Sequence, residues 1–355
     1  VTEPTAEAQL LLADWKEPSA SCQRVLVTGA AGFVGSHLCE ALLVQGHEVV
    51  GIDSFAQYYP RRVKEENIAG AAAHPRFRFL ERDLRTDALD ECLEGVDVVV
   101  NLAAMPGLTR SWIDFQSYVS CNLLAVRRLL EACRRIQLRK FLQISTSSVY
   151  GLEAVGDETQ PTNPVSPYGI TKLAAEHLVQ AYAQNYDMPA SILRYFSIYG
   201  PRQRPDMAYY IFIDAMQHNR PITVYGDGLQ SRSVTFITDA VRGTIQAIGG
   251  AEIGEVYNVG GGAPLTLNDA LGWIARFMDR SPVIVHGPGR AGDQRHTLAD
   301  TSKARAAFGY VPRVSPPSGL HAQIAWQVNR DDPSTQLSLP EQVACCVPYH
   351  TRLPV

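Results

Sequence analysis

The segment Gly29-Ala30-Ala31-Gly32-Phe33-Val34-Gly35 lies between a short aliphatic run, Val25-Leu26-Val27, and a stretch of helical period from Val34 to Gln45 that closes at Gly46. In such a strand-to-helix turn, free backbone N–H groups and the positive end of a helix face one point, and glycines let a pyrophosphate come close. The spacing is G-x-x-G-x-x-G, not G-x-G-x-x-G, and glycines alone are equally consistent with a tight turn. Asp53, 18 residues past Gly35 and followed by Ser54, stands at the end of a second aliphatic run, Val49 to Ile52. A carboxylate there accepts hydrogen bonds from ribose hydroxyls and repels a 2′-phosphate, so the combination predicts a dinucleotide site that favours NAD over NADP. Arg61 and Arg62 nearby moderate that preference. Asp83-Leu84 could hold an adenine amino group, or Asp83 could be an ordinary loop aspartate.

From Arg24 onward, aliphatic runs alternate with longer helical-period segments, the pattern of a parallel sheet covered by helices on both faces. Further strands are expected at Phe77 to Glu81, Val96 to Leu102, Phe141 to Ile144 and Ser191 to Arg194. Helices are expected at Arg62 to Ala73, Asp87 to Leu93, Phe115 to Arg135 and Tyr168 to Tyr186, the last with Ala174, Leu178 and Tyr182 on one stripe. Glu153 to Pro167 reads as a polar loop. Beyond Tyr199 the rhythm is broken by Pro201, Pro205, Pro221 and a turn at Gly226 and Gly228. The predicted fold class is α/β, a Rossmann-type doubly wound parallel sheet with a smaller C-terminal α/β substrate domain. Residues 23–198 would be mainly the first unit and 199–330 mainly the second, interleaved with it; 1–22 and 331–355 read as tails.

Composition closes off several classes. The 355 residues are 46% hydrophobic and 19% charged, enough apolar material for a large core. Lys plus Arg total 32 against 36 for Asp plus Glu, a formal net charge of -4 that gives no footprint for nucleic acid or an anionic membrane. No run approaches the roughly 18 apolar residues of a spanning helix, and the opening residues, with Pro4 and Pro18, lack a basic-then-apolar leader. Seven scattered cysteines (Cys22, Cys39, Cys92, Cys121, Cys133, Cys345, Cys346) form no C-x-x-C pair, and none of the nine histidines sits in a metal-binding arrangement. These features predict a cytoplasmic protein with reduced thiols, no metal, and neither nucleic acid nor membrane as partner.

Tyr168-Gly169-Ile170-Thr171-Lys172 opens the helix after the fifth strand, which puts Tyr168 and Lys172 one turn apart on one face. A phenol, with a reference pKa near ~10, becomes a usable base at neutral pH when a lysine and a cationic nicotinamide favour its phenolate. The fifth strand runs into Ser145-Thr146-Ser147-Ser148, hydroxyls aimed at the same place.

With these residues the chain, over roughly 24 to 330, resembles the extended short-chain dehydrogenase/reductase family, specifically its nucleotide-sugar epimerases and dehydratases. The resemblance rests on the Gly29/Gly32/Gly35 loop, Asp53, Asp83-Leu84, Asn101-Leu102-Ala103-Ala104, Asn122, Tyr168/Lys172, and Arg194-Tyr195-Phe196-Ser197-Ile198-Tyr199-Gly200-Pro201. It implies a seven-stranded sheet, bound NAD, and a homodimer joined through the helices near 115–135 and 168–186. It also implies NAD contacts from the glycine loop with Phe33 and Val34, and from Leu102, Ala103, Ala104 and Asn122.

Within that family, 4,6-dehydratases resemble one another in an Asp-Glu pair after the active-site threonine, a general acid and base for water loss. Here Ser147 and Ser148 stand there, which disfavours dehydration, and the missing glutamate at 148 also counts against decarboxylation. Reversible oxidation at C4 remains, needing Tyr168, Lys172 and a hydroxyl such as Thr146, Ser147 or Ser148. Arg204-Pro205-Asp206-Met207-Ala208, seven residues past Ser197, resembles the corresponding segment of UDP-glucuronic acid 4-epimerases. Arg204 could pair with a C6 carboxylate, with hydrogen bonds donated by Ser197, Thr146 and Ser147; it could also be a solvent or phosphate contact in a basic loop. Met105 to Ser111 instead looks like the loop of UDP-N-acetylhexosamine epimerases. Arg232, Arg290 and Asp293 match substrate-binding positions of the family, although each arginine also has an ordinary ion-pair reading. The expected activity is NAD-dependent 4-epimerisation of UDP-glucuronic acid. UDP-glucose or UDP-N-acetylglucosamine is the second choice of substrate, and a catalytically silent NAD-binding regulator or an NADPH-dependent reductase is a more distant reading.

Overall fold

The computed structural model describes residues 22–331 apart from Gly262 and Ala291; the expected tails therefore lie almost wholly outside the described residues, as do Cys345 and Cys346. Strand β1 (Arg24–Thr28) is followed by helix α1 (Phe33–Val44), β2 (Glu48–Asp53), α2 (Arg61–Ala72), β3 (Phe77–Glu81), the single turn α3 (Asp90–Leu93) and β4 (Val98–Asn101). After a short turn α4 (Leu108–Ser111), one continuous helical run comprises α5 (Phe115–Val119), a π-turn over Ser120–Leu124, and α6 (Ala125–Cys133). Then come β5 (Lys140–Thr146), β6 (Glu153–Gly156), α7 (Pro167–Tyr186) and β7 (Ala190–Tyr195).

The remaining elements are β8 (Ile198–Tyr199), α8 (Ala208–Gln217), β9 (Ile222–Tyr225), β10 (Ser231–Ser233), β11 (Thr235–Phe236), α9 (Ile237–Gly250), β12 (Val256–Val259), β13 (Pro264–Thr266), α10 (Leu267–Met278), β14 (Ile284–Gly287), β15 (His296–Ala299), α11 (Ser302–Phe308) and α12 (Pro316–Asp331).

Seven strands form one sheet in the order β12-β7-β5-β4-β1-β2-β3, with every neighbouring pair parallel. The aliphatic runs explain it: Val25, Leu26, Val27, Val98, Val99 and Val100 are completely buried, as strands covered on both faces must be. The order reverses between β1 and β4, and in such sheets a crevice opens there beyond the carboxyl ends of the strands. A second sheet has the order β13-β10-β15-β6, and its strand β6 follows the carboxyl end of β5 in the chain. The chain crosses back from it, since β12 closes the edge of the first sheet and α9 packs on α1.

Three expectations are corrected. The segment after Glu153 is not all loop: β6 pairs with β15, a partner more than 140 residues away that no local pattern could announce. The helix at 115–135 is interrupted by the π-turn, which carries Asn122. The inward stripe of α7 is Lys172, Ala175, Glu176, Val179, Tyr182 and Ala183, so Tyr182 of the expected stripe is buried while Ala174 and Leu178 are only half-buried. Two of those inward residues are charged, so the apolar period understated the buried face. Ser166 caps α7 by accepting a hydrogen bond from the Gly169 N–H at 3.1 Å, and Pro167 opens the first turn, so the helix begins one residue before Tyr168.

Candidate functional site

The crevice between β1 and β4 is a cavity of about 370 Å³. Its floor is backbone. Gly29 adopts φ +68, and a Cβ on Gly35 would stand 2.2 Å from the Gly29 carbonyl oxygen, so the turn closes only with glycine at both places. Helix α1 starts at Gly32 with no side-chain cap, which leaves first-turn N–H groups for a ligand at Phe33, Val34 and Gly35, all on the cavity wall. A pyrophosphate fits the chemistry of this cradle. Thr28 donates to Asn101 Oδ1 at 2.6 Å and accepts from the Ala103 N–H at 3.0 Å, fixing the wall of Leu102, Ala103 and Ala104.

Asp53 and Ser54 line the same cavity. Asp53 Oδ1 accepts from the Phe55 N–H at 2.8 Å and from Lys64 Nζ at 2.9 Å, while Oδ2 has no hydrogen bond among the described residues and can receive a ribose hydroxyl. Lys64 escaped the sequence reading; it sits one helical turn into α2 and is buried. Arg61 and Arg62 are engaged in ion pairs of their own, Arg61 with Glu65 and Glu81 and Arg62 with Glu66. Asp83 and Leu84 also line the cavity, with both Asp83 oxygens held by Arg85, whose hydrogen bonds keep the carboxyl below the usual range.

At the opposite end stand Thr146, Tyr168, Lys172, Ser197 and Arg204. Burial pushes the Tyr168 phenol above its ordinary value, while the Thr146 hydroxyl and the Arg204 charge pull it down. Lys172 donates to the Ile144 carbonyl at 2.6 Å; burial brings it down to about 8, opposed by the Glu176 carboxylate one turn further on. A lysine so poised can give or take a proton near neutrality and can favour the Tyr168 phenolate, the requirement for a base acting on a carbinol.

Several predicted residues stand off this wall. Asn122 is buried behind it, where Oδ1 accepts from the Met105 N–H at 2.7 Å and Nδ2 donates to the Met105 carbonyl at 3.1 Å. The π-turn is what brings the side chain to that loop. Ser148 Oγ accepts from Thr146 at 3.2 Å, and Ser147 Oγ donates to Gln294 Oε1 at 3.2 Å. Arg232, Arg290 and Asp293 gather outside the cavity on the second sheet's side: Arg290 stacks 3.4 Å above the Tyr225 ring, and burial raises the Asp293 carboxyl against the pull of Arg232 and Arg290. Among the described residues no cluster suits a metal ion, and no helix is long and apolar enough to cross a membrane.

A Gly-lined crevice at the strand reversal, with a Tyr/Lys pair facing it from α7, defines an NAD-linked enzyme acting on an alcohol carbon. Residues 25–260 match the model of the NAD dependent epimerase/dehydratase family, and the chain belongs to that family. It is 42% identical over 308 residues to the uncharacterized UDP-glucose epimerase YtcB of Bacillus subtilis, covering 85% of this chain and 97% of that one. It is 32% identical to UDP-glucuronate 4-epimerase of Thermodesulfobacterium geofontis, covering 85% and 95%. Among solved structures it is similar to UDP-glucuronic acid 4-epimerase from Bacillus cereus in complex with UDP-glucuronic acid and NAD, with TM-score 0.84, 43% identity, and coverage of 86% and 99%.

Two outcomes follow. Replacing Asp53 by Ser removes the charge that repels a 2′-phosphate and leaves Lys64 free to meet one, so the ratio of NAD to NADP affinity, measured by fluorescence titration, should fall by at least about tenfold. Lys172 binds fewer protons folded than unfolded between about 8 and its ordinary 10.5. Its burial therefore costs stability fully below pH 8, and the cost fades as pH rises through that window. The melting temperature of Lys172→Met relative to the parent, both stripped of nucleotide, should be highest below pH 8 and decline toward pH 10.5; a flat difference would contradict the assignment.

Proposed function

We propose that the protein interconverts UDP-glucuronic and UDP-galacturonic acid by NAD-dependent oxidation and re-reduction at C4. The observation that carries this reading is Arg204, a guanidinium on the same cavity wall as Tyr168, Lys172, Thr146 and Ser197, with serines at 147 and 148 where dehydration would need an acid and a base. A neutral sugar has no use for a cation there; a C6 carboxylate does. The solved relative from Bacillus cereus, bound to UDP-glucuronic acid, supports the same substrate.

The glycine turn and Asp53 would hold NAD, which would supply a hydride acceptor and later donor at C4. Tyr168 takes the C4 hydroxyl proton, with Lys172 favouring the phenolate and Thr146 hydrogen-bonding the phenol. The 4-keto sugar turns about its pyrophosphate linkage, presents its other face, and regains hydride and proton. Arg204, with Ser197 on the same wall, holds the carboxylate; Ser147, expected to join them, gives its hydroxyl to Gln294 behind that wall, and Ser148 orients the Thr146 hydroxyl toward the phenol. Arg232, Arg290 and Asp293 hold the nucleotide end, so residues 23–198 serve NAD and 199–330 mainly the sugar nucleotide. The intermediate is a β-keto acid, open to loss of carbon dioxide by cleavage of C5–C6 with the electron pair passing into the C4 ketone. Pinning the carboxylate so that this bond lies out of line with the ketone π system suppresses that route.

Phe115, Leu124, Ile170 and Tyr186 are about half exposed along the helical run 115–133 and α7, which supports a homodimer through these helices, to be checked by sedimentation. The free thiols of Cys39, Cys92, Cys121 and Cys133 support a cytoplasmic setting.

Incubation with UDP-glucuronic acid, UDP-glucose and UDP-N-acetylglucosamine, with products identified by proton NMR, should give UDP-galacturonic acid as the dominant product. Arg204→Ala should lower kcat/KM for the uronate by roughly 10²-fold or more, and far more than for UDP-glucose; equal losses on both substrates would overturn the assignment.

A further inference from the structure

We infer that Asp206 is a positioning residue that aims Arg204 at the substrate carboxylate, so that uronate preference is set by the pair and not by the arginine alone. The inference rests on the uronate reading above and names a residue that reading leaves without a role.

A guanidinium has a side edge, Nε with Nη2, and an end edge, Nη1 with Nη2, and each can receive a carboxylate. In Arg204 the side edge is taken. Nε donates to Asp206 Oδ1 at 3.0 Å and Nη2 donates to Asp206 Oδ2 at 3.1 Å. Nη1 has no hydrogen bond among the described residues, so the end edge remains available, and Arg204 lines the same cavity as Tyr168. A second carboxylate approaching that edge meets a cation that is already oriented. Without Asp206 the long side chain would have to be ordered by the substrate itself, at a cost in affinity.

Asp206 is itself held from the other side of the crevice. The Tyr58 hydroxyl donates to Asp206 Oδ2 at 3.2 Å, and the Tyr58 ring lies 5.8 Å from the Arg204 guanidinium and 4.8 Å from that of Arg110. The Tyr58 oxygen lies against Gly107, where a Cβ would stand 2.3 Å from it, so this placement of Tyr58 needs glycine there. Tyr58 belongs to the loop that leaves Asp53, whereas Asp206 and Arg204 belong to the loop after β8. The brace thus joins the ribose-side loop to the sugar side, and the carboxylate clamp is complete only when both loops are in place.

The rival role for the same contact is competition, with Asp206 occupying the fork that the substrate needs. The two roles predict opposite signs. With the NAD-loaded enzyme, dissociation constants for UDP-glucuronic acid and UDP-glucose would be measured by calorimetry for the parent, Asp206→Asn, Tyr58→Phe and Arg204→Ala, and uronate products followed by NMR. Asp206→Asn keeps shape and the Arg204 charge; the preference for uronate over UDP-glucose should fall about tenfold, and the decarboxylated 4-keto-pentose should rise. Tyr58→Phe should move both in the same direction by less. An unchanged or increased preference in Asp206→Asn, or equal weakening of both ligands, overturns the inference. If Arg204→Ala also leaves the preference intact, the uronate reading itself fails; an effect at Arg204 with none at Asp206 removes only the role given to Asp206.

Discussion

The ion pair between Glu176 and Arg194 fixes the seat of α7 on the sheet, and the chemistry of the site depends on that seat. Both residues are almost completely buried, at 1% and 6% exposure. Two charges in a core are stabilising only when every donor and lone pair is satisfied. Here Arg194 reaches Glu176 through Nε at 3.0 Å and Nη2 at 2.6 Å and donates through Nη1 to the Tyr150 hydroxyl at 2.8 Å, while Ser145 donates to Glu176 Oε1. Removing one partner of such a pair typically costs ~3–5 kcal/mol, because the other is left charged and dry. Glu176 lies one turn beyond Lys172 and two beyond Tyr168, so the helix cannot rotate the reactive pair away from β5 without breaking this bond. Glu176 therefore positions Lys172 and also acts on its protonation.

The two ends of the crevice are built by different means. At the NAD end, the recognising groups are mostly backbone, and their placement follows from one local turn: φ +68 at Gly29 and the 2.2 Å approach that forbids a side chain at Gly35. At the sugar end they are side chains from distant segments, Thr146 from β5, Tyr168 from α7, and Ser197 with Arg204 from the loops around β8. The first arrangement specifies a cofactor common to the family; the second can change one residue at a time and redirect chemistry without disturbing the fold.

That difference also explains what the sequence disclosed. The parallel sheet was legible because each strand is a short aliphatic run between turn signals, and the glycine turn because its three residues are contiguous. The Tyr168/Lys172 pair was legible because i and i+4 must share a helical face. Glu176 follows the same rule at i+8 and could have been read on that face. Lys64 could not, since nothing in its helix distinguishes it from Arg61 and Arg62, and only the packing of α2 turns it to Asp53 while the arginines find Glu65, Glu66 and Glu81. Strand β6, the bond from Ser147 to Gln294 and the contact from Tyr58 to Asp206 each span about 140 residues or more, and no period or spacing carries such information.

The proposed cycle places a constraint on the sugar end that a neutral substrate would not. Once Tyr168 has accepted the C4 proton, a neutral phenol stands hydrogen-bonded beside the new ketone, and that contact also stabilises the enolate into which a β-keto acid collapses on losing carbon dioxide. The base needed for epimerisation thus lowers the barrier to the side reaction. A catalyst distinguishes the two only through interactions that differ between their transition states. Carbon dioxide loss drains negative charge from the carboxylate, whereas hydride return to C4 leaves it in place. A guanidinium and hydroxyl donors on the carboxylate stabilise it before cleavage and lose that interaction as the C5–C6 bond breaks. The cation that selects a uronate is thus also the group that opposes its destruction, and a cation left to wander would do both jobs badly.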